Sequence, residues 1–215
     1  YGGWQQGDAV LPDLTVTPND DGTATVVVTD LGLSTPFVED ATVSEVSKNS
    51  AFGTSQTIEA TMTSSKETFS HLRMRMEHVG MASNLSIVAA EMSLAVDSVS
   101  GTPLVSVHPT EASSWDEDTI TWNRESSSQT WASGGRATAH AATDAVEMSS
   151  TDTSLSLNVT TAVQAHLQAA SETSATFLLT ARGLNEAYTA GDAAVFHSSE
   201  ASSASDHPSL SITYR

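Results

Sequence analysis

The 215-residue chain contains no cysteine and few basic residues. Without cysteine it has no disulfide scaffold, no thiolate metal ligand and no thiol redox chemistry. Eight lysines and arginines stand against 26 aspartates and glutamates, which gives a formal net charge of −18. A field this negative repels phosphate backbones, anionic headgroups and acidic sugars. We therefore expect no binding to nucleic acid, membrane surfaces or anionic polysaccharides.

Long apolar runs and recognisable catalytic motifs are also absent from the sequence. No apolar segment approaches the ~20 residues that span a bilayer, so membrane insertion is not expected. The seven histidines have no His-x-x-x-His spacing, and no Gly-x-Ser-x-Gly turn marks a nucleophilic serine. We therefore predict a non-catalytic protein without an organic cofactor or a zinc ion.

The apolar residues that are present alternate with polar ones, as in half-buried β-strands. The alternation is clearest where Leu72, Met74 and Met76 share one face. Many short strands separated by Ser, Thr, Gly and Asn clusters favour an all-β fold, an antiparallel, jelly-roll-like β-sandwich. Further strands are predicted near residues 90–96, 105–107, 155–159, 177–181, 193–196 and 210–214.

One stretch departs from the strand pattern and predicts a single short helix. Thr161 and Gln164 have the spacing of a capping box, and Val159, Val163 and Leu167 recur every four residues. The predicted helix covers residues 161–170 and lies across the sandwich.

Residues 1–36 are predicted to form a β-rich N-terminal extension, followed by a sandwich domain over residues 37–215. The extension has two apolar segments around a turn cluster at residues 18–22. Because an isolated two-stranded hairpin is marginal in water, it must pair either with its own domain or with a neighbouring copy. The positions predicted to carry assembly are Leu14, Val16, Ala24, Val26 and Val28.

From about Phe37 onward, several motifs resemble the DNRLRE (disaggregatase-related) domain family of secreted and surface proteins. Residues 114–123, SWDEDTITWN, are similar to that family's Trp-x-Glu-x-Thr-Val-Thr-Trp-Asn block. Residues 157–167, LNVTTAVQAHL, and 208–214, PSLSITY, are similar to its strand-to-helix segment and its ending. The resemblance implies a β-sandwich and, since some members are carbohydrate-binding modules, a glycan ligand.

Three neighbouring acids are the candidates for a metal site. Asp116, Glu117 and Asp118 supply the carboxylate oxygens that calcium prefers. Successive side chains on a hairpin point to opposite faces, however, so a solvated acidic loop is the favoured interpretation.

Aromatic residues are the candidates for glycan binding, because their faces stack on sugar rings. The candidates are Trp115, Trp131 and Tyr188. For Trp115, together with Trp122, burial as anchors of a hairpin is the favoured interpretation.

Two functions from different classes fit these features. The favoured hypothesis is an extracellular structural subunit of a filament or matrix, a homo-polymer in which the extension of one protomer adds a strand to the next. A simple binding module gives the extension no role. The alternative is a carbohydrate-binding module for a neutral polysaccharide.

Both hypotheses predict a secreted or cell-surface protein. The chain starts Tyr-Gly-Gly-Trp, without an initiator Met or a signal segment, which is expected of a processed secreted chain. Its excess of carboxylates fits two interpretations equally: a protein of a marine or halophilic setting, or a generic acidic surface protein.

Overall fold

The computed structural model describes residues 14–29, 38–63, 66–75, 86–111, 114–131, 135–136, 138–168, 174–182 and 191–214. Within these residues the chain forms twelve strands, paired antiparallel, and one α-helix. The predicted all-β sandwich class with a single short helix is confirmed. In the described part of the chain, no helix is long and apolar enough to cross a lipid bilayer.

The strands have 4 to 7 residues, except for one of 10 and one of 14. In chain order they are β1 Leu14–Pro18, β2 Ala24–Thr29, β3 Val38–Ser44, β4 Thr57–Thr63, β5 Lys66–Arg75, β6 Ile87–Ser100, β7 Leu104–Pro109, β8 Asp144–Glu147, β9 Ser154–Asn158, β10 Ser174–Thr180, β11 Ala193–His197 and β12 Ser209–Tyr214. The helix α1 spans Thr160–Gln168.

The long strand β6 belongs to two sheets. Its first part pairs with β12 and β9, and β12 continues through β2 to β1, which forms the first sheet. Its last residues pair with β11, which continues through β4, β5, β10, β7 and β8, while β3 pairs with β5. The main core joins apolar side chains of both sheets, such as Met92 and Leu210 with Leu72 and Phe177.

The N-terminal hairpin pairs with a strand of its own chain. Val26 of β2 lies opposite Ile212 of β12. The turn is closed by a bond from Asn19 N to Thr23 O (2.8 Å), and Gly22 adopts a φ of +82° that favours glycine. Residues 30–37, which include the predicted domain boundary, lie outside the described residues.

Helix α1 is fastened to the first sheet at its N-terminus. Asn158 Oδ1 accepts a hydrogen bond from Thr160 N (3.0 Å). Gln164, expected to close a capping box, instead donates through Nε2 to Ile87 O in β6 (2.9 Å). The last two positions of the predicted helix lie outside the described residues.

Residues 114–131 form a cover on the outer face of the second sheet. No strand forms within this range, so the hairpin predicted there is wrong. Instead, Thr119 N and Ile120 N both donate to Asp116 O (3.1 and 2.8 Å), which folds the acidic segment into a turn. Beneath the cover, β3 is buried along its whole length.

Candidate functional site

The tryptophans considered for sugar stacking lie in a second core under the 114–131 cover. Trp115 is 2% exposed and Trp131 is 8% exposed. The Trp131 ring stacks on His71 at 4.9 Å between centroids, and its Nε1 donates to Thr121 O (2.8 Å). The ring faces of this cluster therefore pack against protein. Tyr188 lies outside the described residues.

The residues around these tryptophans explain why the cluster is closed. The Arg73 guanidinium lies 4.3 Å from the centre of the Trp115 ring and forms an ion pair with Glu39. His71 is 1% exposed, and its Nε2 lies 3.0 Å from Gly135 O. Burial lowers the pKa of His71 to about 4, so the ring is neutral at pH 7 and its Nε2–H donates to that carbonyl.

Three carboxylates converge beside β3. Oxygens of Asp40, Glu117 and Glu200 all lie within 4.8 Å of one another. Asp40 N donates to Glu117 Oε1 (2.7 Å), and Ser199 N donates to Asp40 Oδ2 (2.8 Å). Burial, reinforced by the neighbouring carboxylates, raises the pKa of Glu117 to about 8.

Of the three acids considered for calcium, Glu117 is the one that joins this group. Asp116 and Asp118 are exposed on the turn. Carboxylates this close favour either a shared proton or a bound hard cation, because both relieve the repulsion between like charges. Asp40 is 77 residues from Glu117, so no local spacing in the sequence could have indicated the group.

A groove of about 520 Å³ opens between α1 and the end of β7. The polar residues that line it are Thr110, Glu111, His140, Thr143, Thr161 and His166, of which Thr110 is buried and donates its hydroxyl to Thr176 Oγ1 (2.9 Å). Pro109, Ala141, Ala162 and Ala165 supply the apolar surface. Ligand pockets in proteins typically measure about 300–1,000 Å³, so the groove has the size of a binding site.

Main-chain hydrogen bonds hold one wall of the groove to the second sheet. His140 N donates to Pro109 O (2.8 Å), and Thr143 N donates to Val107 O (2.9 Å). Below this wall, His108 lies with Nδ1 3.1 Å from His140 O. Burial lowers the pKa of His108, which keeps its ring neutral and its Nδ1–H available for that carbonyl. The wall is thus in place before a ligand binds.

Helix α1 forms the opposite wall. Thr161 and Ala165 are one turn apart, exposed, and line the groove. His166 also lines it but is mostly buried, with its ring edge-on to Phe177 at 6.5 Å. The bonds that fasten α1 to β6 therefore also fix the width of the groove.

The chemistry of the groove suits a ligand rich in hydroxyl groups. Threonine hydroxyls and imidazole nitrogens both donate and accept hydrogen bonds, and small apolar side chains can contact the CH faces of a sugar ring. No lysine or arginine lines the groove in the described part of the chain. Sequence reasoning missed this site because its two walls come from segments about 20 to 50 residues apart.

Comparison with known proteins agrees with a sugar-binding role. Residues 34–214 match the model of carbohydrate-binding module family 96, a family of non-catalytic binding modules. No curated protein matches the chain. The match supports the carbohydrate-binding role that the DNRLRE resemblance implied. It does not test membership of the DNRLRE family itself. Because the match covers well over half of the sequence, the chain belongs to carbohydrate-binding module family 96.

Proposed function

We propose that this protein is a non-catalytic module that binds a neutral polysaccharide in the groove between α1 and the end of β7. The observation that carries the proposal is the family match over residues 34–214. The groove supports it with a suitable volume, a lining of polar and small apolar residues, and one wall held by main-chain bonds.

Charge argues for a neutral ligand. The groove is lined by Glu111 and by no described lysine or arginine, and the chain as a whole carries a charge of −18. An acidic sugar would meet repulsion without a cation to offset it. Hydroxyl groups instead find donors and acceptors on both walls, in His140 and Thr161.

Retention on insoluble neutral polysaccharides, followed by calorimetry with soluble oligosaccharides, tests the proposal. Ala165→Arg places a long side chain in the groove and should reduce affinity at least tenfold. Val88→Arg makes the same charge change at an exposed position outside the groove lining and should bind like the unaltered chain. Equal binding by both variants, or preference for an anionic polysaccharide, would overturn the proposal.

Assembly by strand donation is the second candidate. The hairpin β1–β2 lies outside the matched residues 34–214, yet it extends their sheet by pairing with β12. Donating the hairpin to β12 of a neighbour would keep this pairing and link chains head to tail. Negative-stain images should show filaments for the full chain and none without residues 1–36. Monodisperse particles in both cases would contradict donation.

Calcium binding and an extracellular location are further parts of the proposal. Glu117, grouped with Asp40 and Glu200, supports calcium better than the exposed Asp116 and Asp118. If the ion binds, calcium should raise the melting temperature more than magnesium does. Equal melting curves would count against it. A polysaccharide ligand supports the location, which fractionation of the producing cells would test.

A further inference from the structure

Arg136 is a half-buried cation without an acidic partner. Within the described residues its guanidinium takes part in no ion pair and no hydrogen bond. The chain has 26 acidic residues and eight basic ones, so an arginine that contacts no carboxylate stands out. A charge removed from water is costly unless an opposite charge or hydrogen-bond partners accompany it. The guanidinium of Arg136 therefore has N–H donors available for a ligand.

The glycine before Arg136 holds it close to the outer face of the second sheet. Gly135 O accepts the hydrogen bond from His71 Nε2 (3.0 Å). A Cβ atom at Gly135 would lie 2.8 Å from the Trp122 ring and 3.1 Å from the Phe69 ring, and the residue has a φ of +73°. Only glycine allows the backbone this approach and this conformation. The position of Arg136 is thus fixed by its backbone.

A small cavity lies beside Arg136. Its volume is about 10 Å³, enough for roughly one species of the size of a water molecule. Arg136 lines it together with Arg182, which follows β10, and with Glu67 and Phe69 of β5. The cavity is far smaller than the groove beside α1, so it does not hold a sugar ring.

The charge around this cavity is positive. Arg182 forms an ion pair with Glu67, which leaves the charge of Arg136 without compensation. Two guanidinium groups and one carboxylate give a local charge of +1, and no other charged residue lines the cavity in the described ranges. Burial chiefly lowers the pKa of His108, and the charge of Arg136 lowers it further. The imidazole that Arg136 influences is therefore neutral and adds no negative charge.

We propose that this cavity binds one monovalent anion of about the size of a water molecule, such as chloride, between Arg136 and Arg182. The anion accepts hydrogen bonds from guanidinium N–H groups and offsets the charge of Arg136. A water molecule would fill the same volume but would leave that charge in place. Sulfate and the carboxylates of acidic sugars are larger than the cavity. The site is separate from the groove and does not rest on sugar binding.

The bound anion would connect two parts of the chain. Arg136 belongs to the segment that lies over the second sheet, whereas Arg182 directly follows a strand of that sheet. A ligand that binds only the folded chain stabilises it, in a manner that saturates with ligand concentration on a logarithmic scale of its dissociation constant. At ten times its dissociation constant, chloride should raise the melting temperature by about 3 °C.

Melting curves in sodium chloride and in sodium gluconate at equal ionic strength test the proposal. Gluconate is too large for the cavity, while the general screening of charge is the same in both salts. The unaltered chain should melt at a higher temperature in chloride, and Arg136→Gln should melt equally in both salts. Arg124→Gln is the matched control, because it removes the same charge from an exposed arginine that does not line the cavity. It should keep the chloride effect.

Bromide provides a measurement on the unaltered chain. Anomalous diffraction from crystals grown in sodium bromide should show a peak between Arg136 and Arg182, and crystals of Arg136→Gln should lack it. The proposal is overturned by equal melting of the unaltered chain in both salts, by a chloride effect that Arg136→Gln retains, or by a cavity without bromide. A bromide peak without a chloride effect on melting would identify an adventitious ion only, and it would also overturn the proposal.

Discussion

The aromatic cluster under the 114–131 cover and the groove beside α1 differ in what they expose. The cluster contains three tryptophans and the most distinctive motif of the sequence, yet Trp115 and Trp131 pack against protein. The groove has no tryptophan and no motif, yet it is open and lined by polar and small apolar residues. The conspicuous aromatic residues stabilise the fold, and the surface suited to a ligand is assembled from unremarkable ones.

The largest expected effect is on stability, from removing a tryptophan under the cover. Trp131→Ala should lower the free energy of unfolding by about 3–5 kcal/mol, because it leaves a cavity beside His71 and removes the bond to Thr121. Chemical denaturation measures this change. The folded fraction of this variant should bind sugar with unaltered affinity. A loss of affinity in the folded fraction would place the ligand at the cluster instead.

The second largest effect is expected from acid, which should lower the free energy of unfolding through His71. The pKa of His71 is about 4 in the folded chain against its usual 6.5, so the unfolded chain binds more protons between these values. Stability is therefore full above about pH 6.5 and falls as the pH drops toward 4, by about 3 kcal/mol at 1.36 kcal/mol per pH unit. His71→Phe should flatten this part of a denaturation series. An unchanged slope would assign it to other groups.

Glu117 should give stability the opposite pH dependence to His71. Its raised pKa means that the folded chain binds the extra proton between pH 4.5 and about 8, so stability falls as the pH rises through this window. Glu117→Gln, measured without divalent cations, should melt at a higher temperature than the unaltered chain near pH 8. The advantage should shrink toward pH 4.5. A constant difference would show that charge is not the cause.

The smallest effect on stability is expected in the groove. His140→Ala removes an exposed ring, so the free energy of unfolding should change by less than about 0.5 kcal/mol. Its affinity for a neutral oligosaccharide should fall about tenfold, roughly 1.4 kcal/mol, as calorimetry would show. Trp131→Ala should thus change stability without changing affinity, and His140→Ala should change affinity without changing stability. Unchanged affinity would show that the sugar does not bind at the wall that contains His140.

Alternation predicted the strands that have one buried and one exposed face. Strands β9 and β12 have such faces and contain the alternating residues identified in the sequence. Strand β5 was predicted in the same way, although its residues 68–72 are all buried. Strand β3 was not predicted, because the cover buries it on both sides and Glu39, Asp40 and Thr42 interrupt any apolar pattern.

In the cover, a hairpin was predicted that does not form. Ile120 and Trp122 alternate with polar residues as in a strand, but together with Trp115 they reach the second core through turns. The groove and the carboxylate group could not be predicted, since each joins segments far apart in the chain that only the fold brings together.

The pairing of β2 with β12 also has a kinetic consequence. It joins the second and the last described strands, so this part of the first sheet can form only after residues 24 to 214 have been synthesised. Contacts this distant in sequence slow folding. We therefore expect the N-terminal hairpin to remain undocked during synthesis and to be the last element to gain protection in a refolding experiment.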